Sequence, residues 1–446
     1  MGQINGGNQR IDANSKQGGS IESEKPPTRS HLRWNFLVLT VDQILLRIGW
    51  IFKTESIIMP AVLDTISGAG WLRGCLPLLN RFGQSIPPLI LAPAVGRLRR
   101  KRSLIVICGI MMSACFFLLA MGWSLRDRLG PVWAPTLFLL IYAVFFATTG
   151  IHQLVFFTLQ GKLIPVVYRG RLLLACNLIG APMAAGFAFW LLPQWLGAQD
   201  AKFSAIFGFT AVAFFVAAMT GWLLREERDP PNDQGLVDTA VLQRAWQAIR
   251  SDRALLRLSL VAACFGSCIV LFPHYQSLGR TRVGFDMRSL LMWVVIQNIG
   301  TAIFSMVLGP VADKWGNRRV LLIGLLGIAI VPCLAIASIY LDGYGKIVFS
   351  STFLLVGLTP VMYRVLFNYS LELCKPADHP RYLSVLGVAT SIPAIVSPLV
   401  GQALDQVGYE LVFIGVTMVL ITGWFIAFGM PEPRFHREQT ATAEIE

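Results

Sequence analysis

Twelve runs of about twenty mostly apolar residues leave this chain few folds to choose from. They fall at 35–58, 74–95, 103–123, 133–158, 172–193, 203–224, 255–274, 289–312, 320–340, 347–371, 383–404 and 409–430. Each is long enough to cross the hydrocarbon of a bilayer as a helix, and a helix satisfies its own backbone there. Of the 446 residues, 54% are hydrophobic and 14% charged, with mean hydropathy +0.60. A soluble chain carries about 25% charged residues. The expected fold is an all-α integral membrane protein with twelve transmembrane helices. Helix 1 is the least hydrophobic, and helices 2 and 8 start polar.

The chain repeats itself across its middle. Leu91–Leu104 reads LAPAVGRLRRKRSL and Leu308–Leu321 reads LGPVADKWGNRRVL. They align without a gap, with Leu91 on Leu308, Pro93 on Pro310, Arg102 on Arg319 and Leu104 on Leu321. Both copies close one apolar run and open the next, which suits a tight turn between membrane helices. Gly316 permits a backbone that other residues resist. A repeat at half the chain length implies two pseudo-symmetric six-helix halves, at 34–224 and 255–430. Residues 225–254 form a linker that opens with the breaker-rich stretch ERDPPNDQG. It then places Val241, Leu242, Ala245, Trp246 and Ile249 on one helical face beside Arg244, Arg250 and Arg253. That face suits a short helix on an anionic membrane surface or a plain interdomain linker. Residues 1–33, rich in Gly, Asn, Ser and Lys, read as a disordered cytoplasmic tail, and 431–446 as a second cytoplasmic tail.

Net charge is +13, but nucleic acid is not the expected partner, because the charge is distributed by side. Of 38 Lys and Arg, 26 fall in segments on the side of the tails, 8 on the other side and 4 within helices. The bias puts both termini in the cytoplasm. Trp34, Trp71, Trp123, Trp133, Trp195 and Trp222 fall near helix ends, as an interfacial belt would. The 8 cysteines form no framework, and Cys264 and Cys268 read as small packing residues. No cofactor or metal site is expected.

Polar groups inside the apolar runs are costly and mark function or structure. On helix 1, Gly49, Asp42, Lys53, Trp50, Gln43, Thr54 and Arg47 share one arc. This side faces water or protein, and a structural ion pair through Asp42 or Glu55 is the competing reading. On helix 10, Arg364, Asn368 and Glu372 stack at i, i+4, i+8. Gln153 in helix 4 is the repeat partner of Arg364 and follows His152, a residue able to titrate near neutral pH. Helix 8 adds Gln297 and Asn298. His274 reads as interfacial at the outer end of helix 7.

Gly309, Ala312, Asp313, Gly316, Arg318 and Arg319 fall at G-x-x-A-D-x-x-G-x-R-R. This pattern resembles the loop signature of the major facilitator superfamily of secondary transporters, in its second-half copy. Ile164–Leu173, IPVVYRGRLL, similarly resembles the P-x-x-x-R-G-R turn after helix 4 of many members. In the first-half copy, Gly96 stands where the family has Asp and Arg99 where it has Gly, so the acid is retained only at Asp313. The resemblance implies that helices 1, 4, 7 and 10 line a central cavity. That would put Asp42, Gln43, Arg47, His152, Gln153, Asn298, Arg364, Asn368 and Glu372 on a transport pathway. It further implies gating by Gly309, Asp313, Gly316, Arg318 and Arg319.

The function expected is secondary active transport of a small molecule by alternating access in the cell inner membrane, among lipids. A proton is the candidate coupling ion, through Asp42 and then Glu372. Arg47 and Arg364 leave two alternatives: a cross-helix pair with an acid, such as Asp42 with Arg364, or an anionic solute. No Walker motif supplies ATP, since Gly161-Lys162 lacks its neighbours. The rivals are a polytopic enzyme acting on a lipid-linked substrate, for which the usual acid and histidine patterns are missing, and a receptor or scaffold that binds without moving its ligand.

Overall fold

The computed structural model describes residues 29–196, 202–229, 241–374 and 379–432. Most of both expected tails and the middle of the expected linker lie outside the described residues. All regular elements among the described residues are helical. The first span is broken into α1 (Arg29–Ile51) and α2 (Ile58–Ile66). Then come α3 (Gly70–Arg97), α4 (Arg102–Ser124), α5 (Arg126–Leu163), α6 (Val166–Leu196) and α7 (Phe203–Thr220). The short α8 (Val241–Ser251) precedes the second set. Its seventh span joins α9 (Arg253–Val270) to α10 (Phe272–Thr281), followed by α11 (Ser289–Trp315) and α12 (Asn317–Ala337). The tenth joins α13 (Gly345–Val356) to α14 (Thr359–Leu373). The eleventh joins α15 (His379–Ser391) to α16 (Ser397–Val407), and α17 (Tyr409–Phe428) is the twelfth.

Eleven of these spans are long and apolar enough to cross a bilayer. The exception is α3, which carries Arg73, Asn80, Arg81 and Gln84 and four prolines. It packs between α5 and α16, so its polar face meets protein rather than lipid. Helix 1 departs from the continuous span expected at 35–58. Its helix stops at Ile51 and resumes at Ile58, and the intervening turn inserts Lys53 and Glu55 into the interior.

Each half has an aromatic core. Phe116, Phe145 and Phe214 stack and edge together in the first half, with ring centroids 4.9–5.8 Å apart. Trp293, Phe349 and Phe353 do so in the second, at 4.8–5.7 Å. Side chains such as Leu178, Phe189 and Leu411 point outward and exposed, as lipid contact requires. Of the expected tryptophan belt, Trp34, Trp71, Trp133 and Trp222 are exposed, but Trp123 is buried against Phe203. Helix α8 forms within the linker. Trp246 is exposed there with the Arg250 guanidinium 4.8 Å from its ring, and Ile249 packs against the core.

Candidate functional site

The two sets of spans meet along a cleft that is closed at one end. We call the end bearing the Arg97–Arg102 and Trp315–Asn317 turns the basic end, and the closed end the sealed end. The seal is built from backbone and charge together. Where α3 crosses α16, a Cβ on Gly70 would lie 2.2 Å from the Gly401 carbonyl oxygen, and one on Gly401 2.1 Å from that of Gly70. Only glycine at both positions allows this approach. The Gly70 N–H donates to Asp405 Oδ2 at 2.6 Å. Arg73 bonds Asp64 of its own half and reaches Asp405 of the other at 3.4 Å. Gln276 of α10 donates to the second oxygen of Asp64 at 2.5 Å. Deeper in, Ser56 donates to Gln297 at 2.8 Å and Ser85 meets Ser391 at 3.2 Å, both across the halves.

On the basic side of the seal the cleft has two polar walls. A cavity of about 300 Å³ in the first half is lined by Gln43, Arg47, Trp50, His152, Gln153 and Asn177, among others. It unites four residues singled out in the sequence. Arg47 donates to the Asn177 side-chain oxygen. A cavity of about 430 Å³ in the second half is lined by Gly309, Asn317, Arg364, Asn368 and Glu372, among others. Arg364 and Asn368 are exposed there. Arg47 thus lies in the first wall and Arg364 in the second, one in each half. Among the described residues Arg364 makes no hydrogen bond or ion pair, and Arg47 has the neutral Asn177.

The pairing of Asp42 with Arg364 does not form. Asp42 is buried, accepting from Gln43 Nε2 at 3.0 Å and Thr220 Oγ1 at 3.5 Å, so it ties α1 to α7. Glu372 accepts from Asn317 Nδ2 at 2.8 Å. Asn298 is exposed and bonds back to the Val294 carbonyl at 2.8 Å. By helical spacing it shares a face of α11 with Ser305 and Gly309, which line the second wall. In the loop signature, Gly316 has φ +86° and separates α11 from α12. Arg318 donates to the Phe428 carbonyl at 2.5 Å, anchoring the turn to α17. Arg319 lies in the first turn of α12 and Asp313 in the last turn of α11. The Asp313 side chain lies outside the described part of the structure.

A family model described as Major Facilitator Superfamily matches residues 283–445. A mutant of the nucleoside transporter NupG superposes with TM-score 0.69 at 11% identity, covering 90% of this chain and 99% of that one. A D-xylose–proton symporter does so with TM-score 0.66 at 16% identity, covering 91% and 99%. The second half of the chain thus matches the major facilitator superfamily, and the whole chain has the fold of these transporters. At these identities the structural matches speak for the fold alone. A curated relative from Bacillus subtilis (strain 168), the uncharacterized MFS-type transporter YfkF, is 27% identical over 164 residues. That match spans 36% of this chain and 40% of the relative's length.

The structure gives several groups a place other than the one read from the sequence. In the break of helix 1, Lys53 Nζ pairs with Glu55 Oε1 at 2.9 Å. The ammonium is boxed by rings, 3.8 Å from the Trp50 centroid and 4.1 Å from that of Phe146. Glu55 also accepts from Asn80, which accepts from Gln84 at 2.5 Å. The signal was present as two opposite charges inside one apolar run. Arg81 of α3 sits 5.3 Å over the Tyr363 ring of α14 and so crosses the halves. His274 is fully buried rather than interfacial, because the seventh span continues through α10 to Thr281.

Proposed function

We propose that this major facilitator protein is a secondary active transporter that carries a small anionic solute by alternating access. The observation that carries the reading is an arginine in each polar wall, Arg47 in one half and Arg364 in the other, with no carboxylate paired to either among the described residues. An arginine cannot shed its proton to relieve the cost, and two guanidinium groups sharing a cleft within a membrane call for a counter-charge. A carboxylate, phosphate or sulfate supplies it, held by the planar forks. His152, Gln153 and Asn368 offer neutral hydrogen bonds beside them. Because one arginine belongs to each half, a bound anion would couple the halves and ride with their relative motion.

The cleft, sealed at one end and accessible from the other, corresponds to one of the two states such a cycle needs. The Lys and Arg bias assigns the accessible end to the cytoplasm, with both termini there and the protein in the cell inner membrane. A proton is the coupling ion we propose, taken up at Asp42. Its partners Gln43 and Thr220 are neutral, so protonating it strands no cation. The loop signature, Asp313 included, would control closure of the basic end.

Flux of radiolabelled carboxylates, phosphates and sulfates into proteoliposomes tests the reading. Arg364→Lys and Arg47→Lys keep the charge but lose the fork, so each should raise KM at least about tenfold, the equivalent of 1.4 kcal/mol, with expression unchanged. Wild-type KM in both variants would sink the anionic reading. Asp42→Asn should abolish pH-driven accumulation and spare exchange; accumulation at the wild-type level removes the proton site. Product formation without flux would identify an enzyme instead.

A further inference from the structure

A second charged cavity lies on the far side of the seal. It measures about 550 Å³ and is lined in part by Asp64, Arg73, Trp123, Arg126, Arg280 and Thr281. Residues from both halves enclose it, and one of them, Arg73, reaches Asp405 across the crossing that closes the cleft. Three guanidinium groups meet one carboxylate, and that carboxylate is committed: Asp64 serves Arg73 with one oxygen and Gln276 with the other. Arg126 is held 4.6 Å over the Trp123 indole. Its nearest acid, Asp127, stands off at 3.6 Å and is 86% exposed, a geometry worth little in water. Arg280, half-buried, has no hydrogen bond or ion pair among the described residues. A concave surface lined by one sign of charge concentrates counter-ions. The donor set is of the bidentate kind that recognises carboxylate, phosphate and sulfate.

We propose that this vestibule is a second anion site, where the transported solute docks before the seal opens. The proposal rests on the anionic reading of the cleft. Arg126 and Arg280 would hold the ion, and Arg73 links it to the seal. Arg73 already reaches Asp405 only at 3.4 Å. An anion in the vestibule competes with Asp405 for the same guanidinium and so loosens the contact between halves. Solute on the sealed side would then promote opening toward itself, which an exchanger or importer requires and a passive wall does not provide.

Arginine footprinting separates the two sites. The full-length protein in nanodiscs is treated with phenylglyoxal, with inorganic phosphate or sulfate added at constant ionic strength, and modification is read residue by residue by mass spectrometry. Phosphate at about four times its dissociation constant should slow modification of Arg280 and Arg126 about fivefold, from simple site occupancy. Arg280→Ala should abolish protection of Arg126, leave protection of Arg47 and Arg364 intact, and raise KM for uptake from the sealed side. Arg280→Lys, which keeps the charge, should retain part of the protection and guards against misfolding as the cause. Protection confined to Arg47 and Arg364 overturns the vestibule site, and unchanged uptake KM in a well-folded Arg280→Ala overturns its docking role. Protection at Arg280 without any at Arg47 or Arg364 would instead leave the vestibule standing as an anion site and remove the anionic reading of the cleft.

Discussion

Replacing Gly401 by alanine is the smallest change that should keep the seal from closing. The new methyl carbon would lie 2.1 Å from the Gly70 carbonyl oxygen, 2.6 Å from its carbon and 3.1 Å from Trp71 Cα. An ordinary close approach of carbon to a carbonyl oxygen is about 3.3 Å, so α3 and α16 must part by roughly 1 Å. The contacts beside the crossing have no slack for that. The Gly70 N–H to Asp405 bond is 2.6 Å and the Arg73–Asp405 contact is already 3.4 Å. Overpacking of this kind costs about 1–3 kcal/mol, which moves the balance between sealed and unsealed states about 5- to 150-fold. Alanine favours a helix over glycine by about 0.5–1 kcal/mol, and that gain is the same in both states, so weakened helices cannot account for the effect. Cys75, half-buried on α3 near the crossing, reports the change. Its alkylation by an impermeant maleimide from the sealed side should accelerate in Gly401→Ala, with Cys75→Ser as the blank. Gly186→Ala, where an added Cβ meets nothing within 4 Å, should label like wild type. Wild-type labelling and flux in Gly401→Ala would refute the seal as described.

Two further outcomes follow from buried or half-buried charge. Asp229 loses some hydration by burial, but the ammonium groups of Lys101 and Lys162 outweigh this and hold its carboxyl below the ordinary value of 3.8. A depressed carboxyl stabilises the fold above its unfolded pKa and loses that contribution as pH falls through its folded value. Thermal stability should therefore show an acid limb beginning below about pH 4 that Asp229→Asn lacks; an identical limb in the variant counts against the clamp. Lys53→Ala strands Glu55 in the break of helix 1 and should cost about 3–5 kcal/mol, whereas Lys53→Met with Glu55→Leu should recover most of it. Equal unfolding midpoints for the single and double variants would show that the pair does not hold the break.

What the sequence determined by itself is the part governed by local physics. Apolar length against bilayer thickness set the number and order of the spans, with α3 falling short in hydropathy because it carries the polar seam between halves. The half-chain repeat and the loop signature pointed to the family whose model matches residues 283–445, and Gly316 takes the positive φ that its place in that turn requires. Helical spacing put Gln43 with Arg47 and Arg364 with Asn368, and the cleft walls keep those groupings. The tertiary structure decided everything that depends on a distance between remote residues. Gly70 meets Gly401, and Arg73 reaches Asp405, across more than 300 residues of chain, and two glycines without side chains leave no periodic signal to announce the contact. Arg73 falls just outside the apolar run at 74–95 and His274 reads as an interfacial ring in the sequence, yet both are buried at the seal. The arc of helix 1 was projected on a continuous helix. The break at Phe52–Ile57 takes Lys53 out of that arc and pairs it with Glu55, because a polar turn inside a membrane protein is stable only where other chain segments satisfy it. Arg364 lacks the cross-helix pair with Asp42 that the sequence left open, since Asp42 bonds Gln43 and Thr220 and ties α1 to α7 instead.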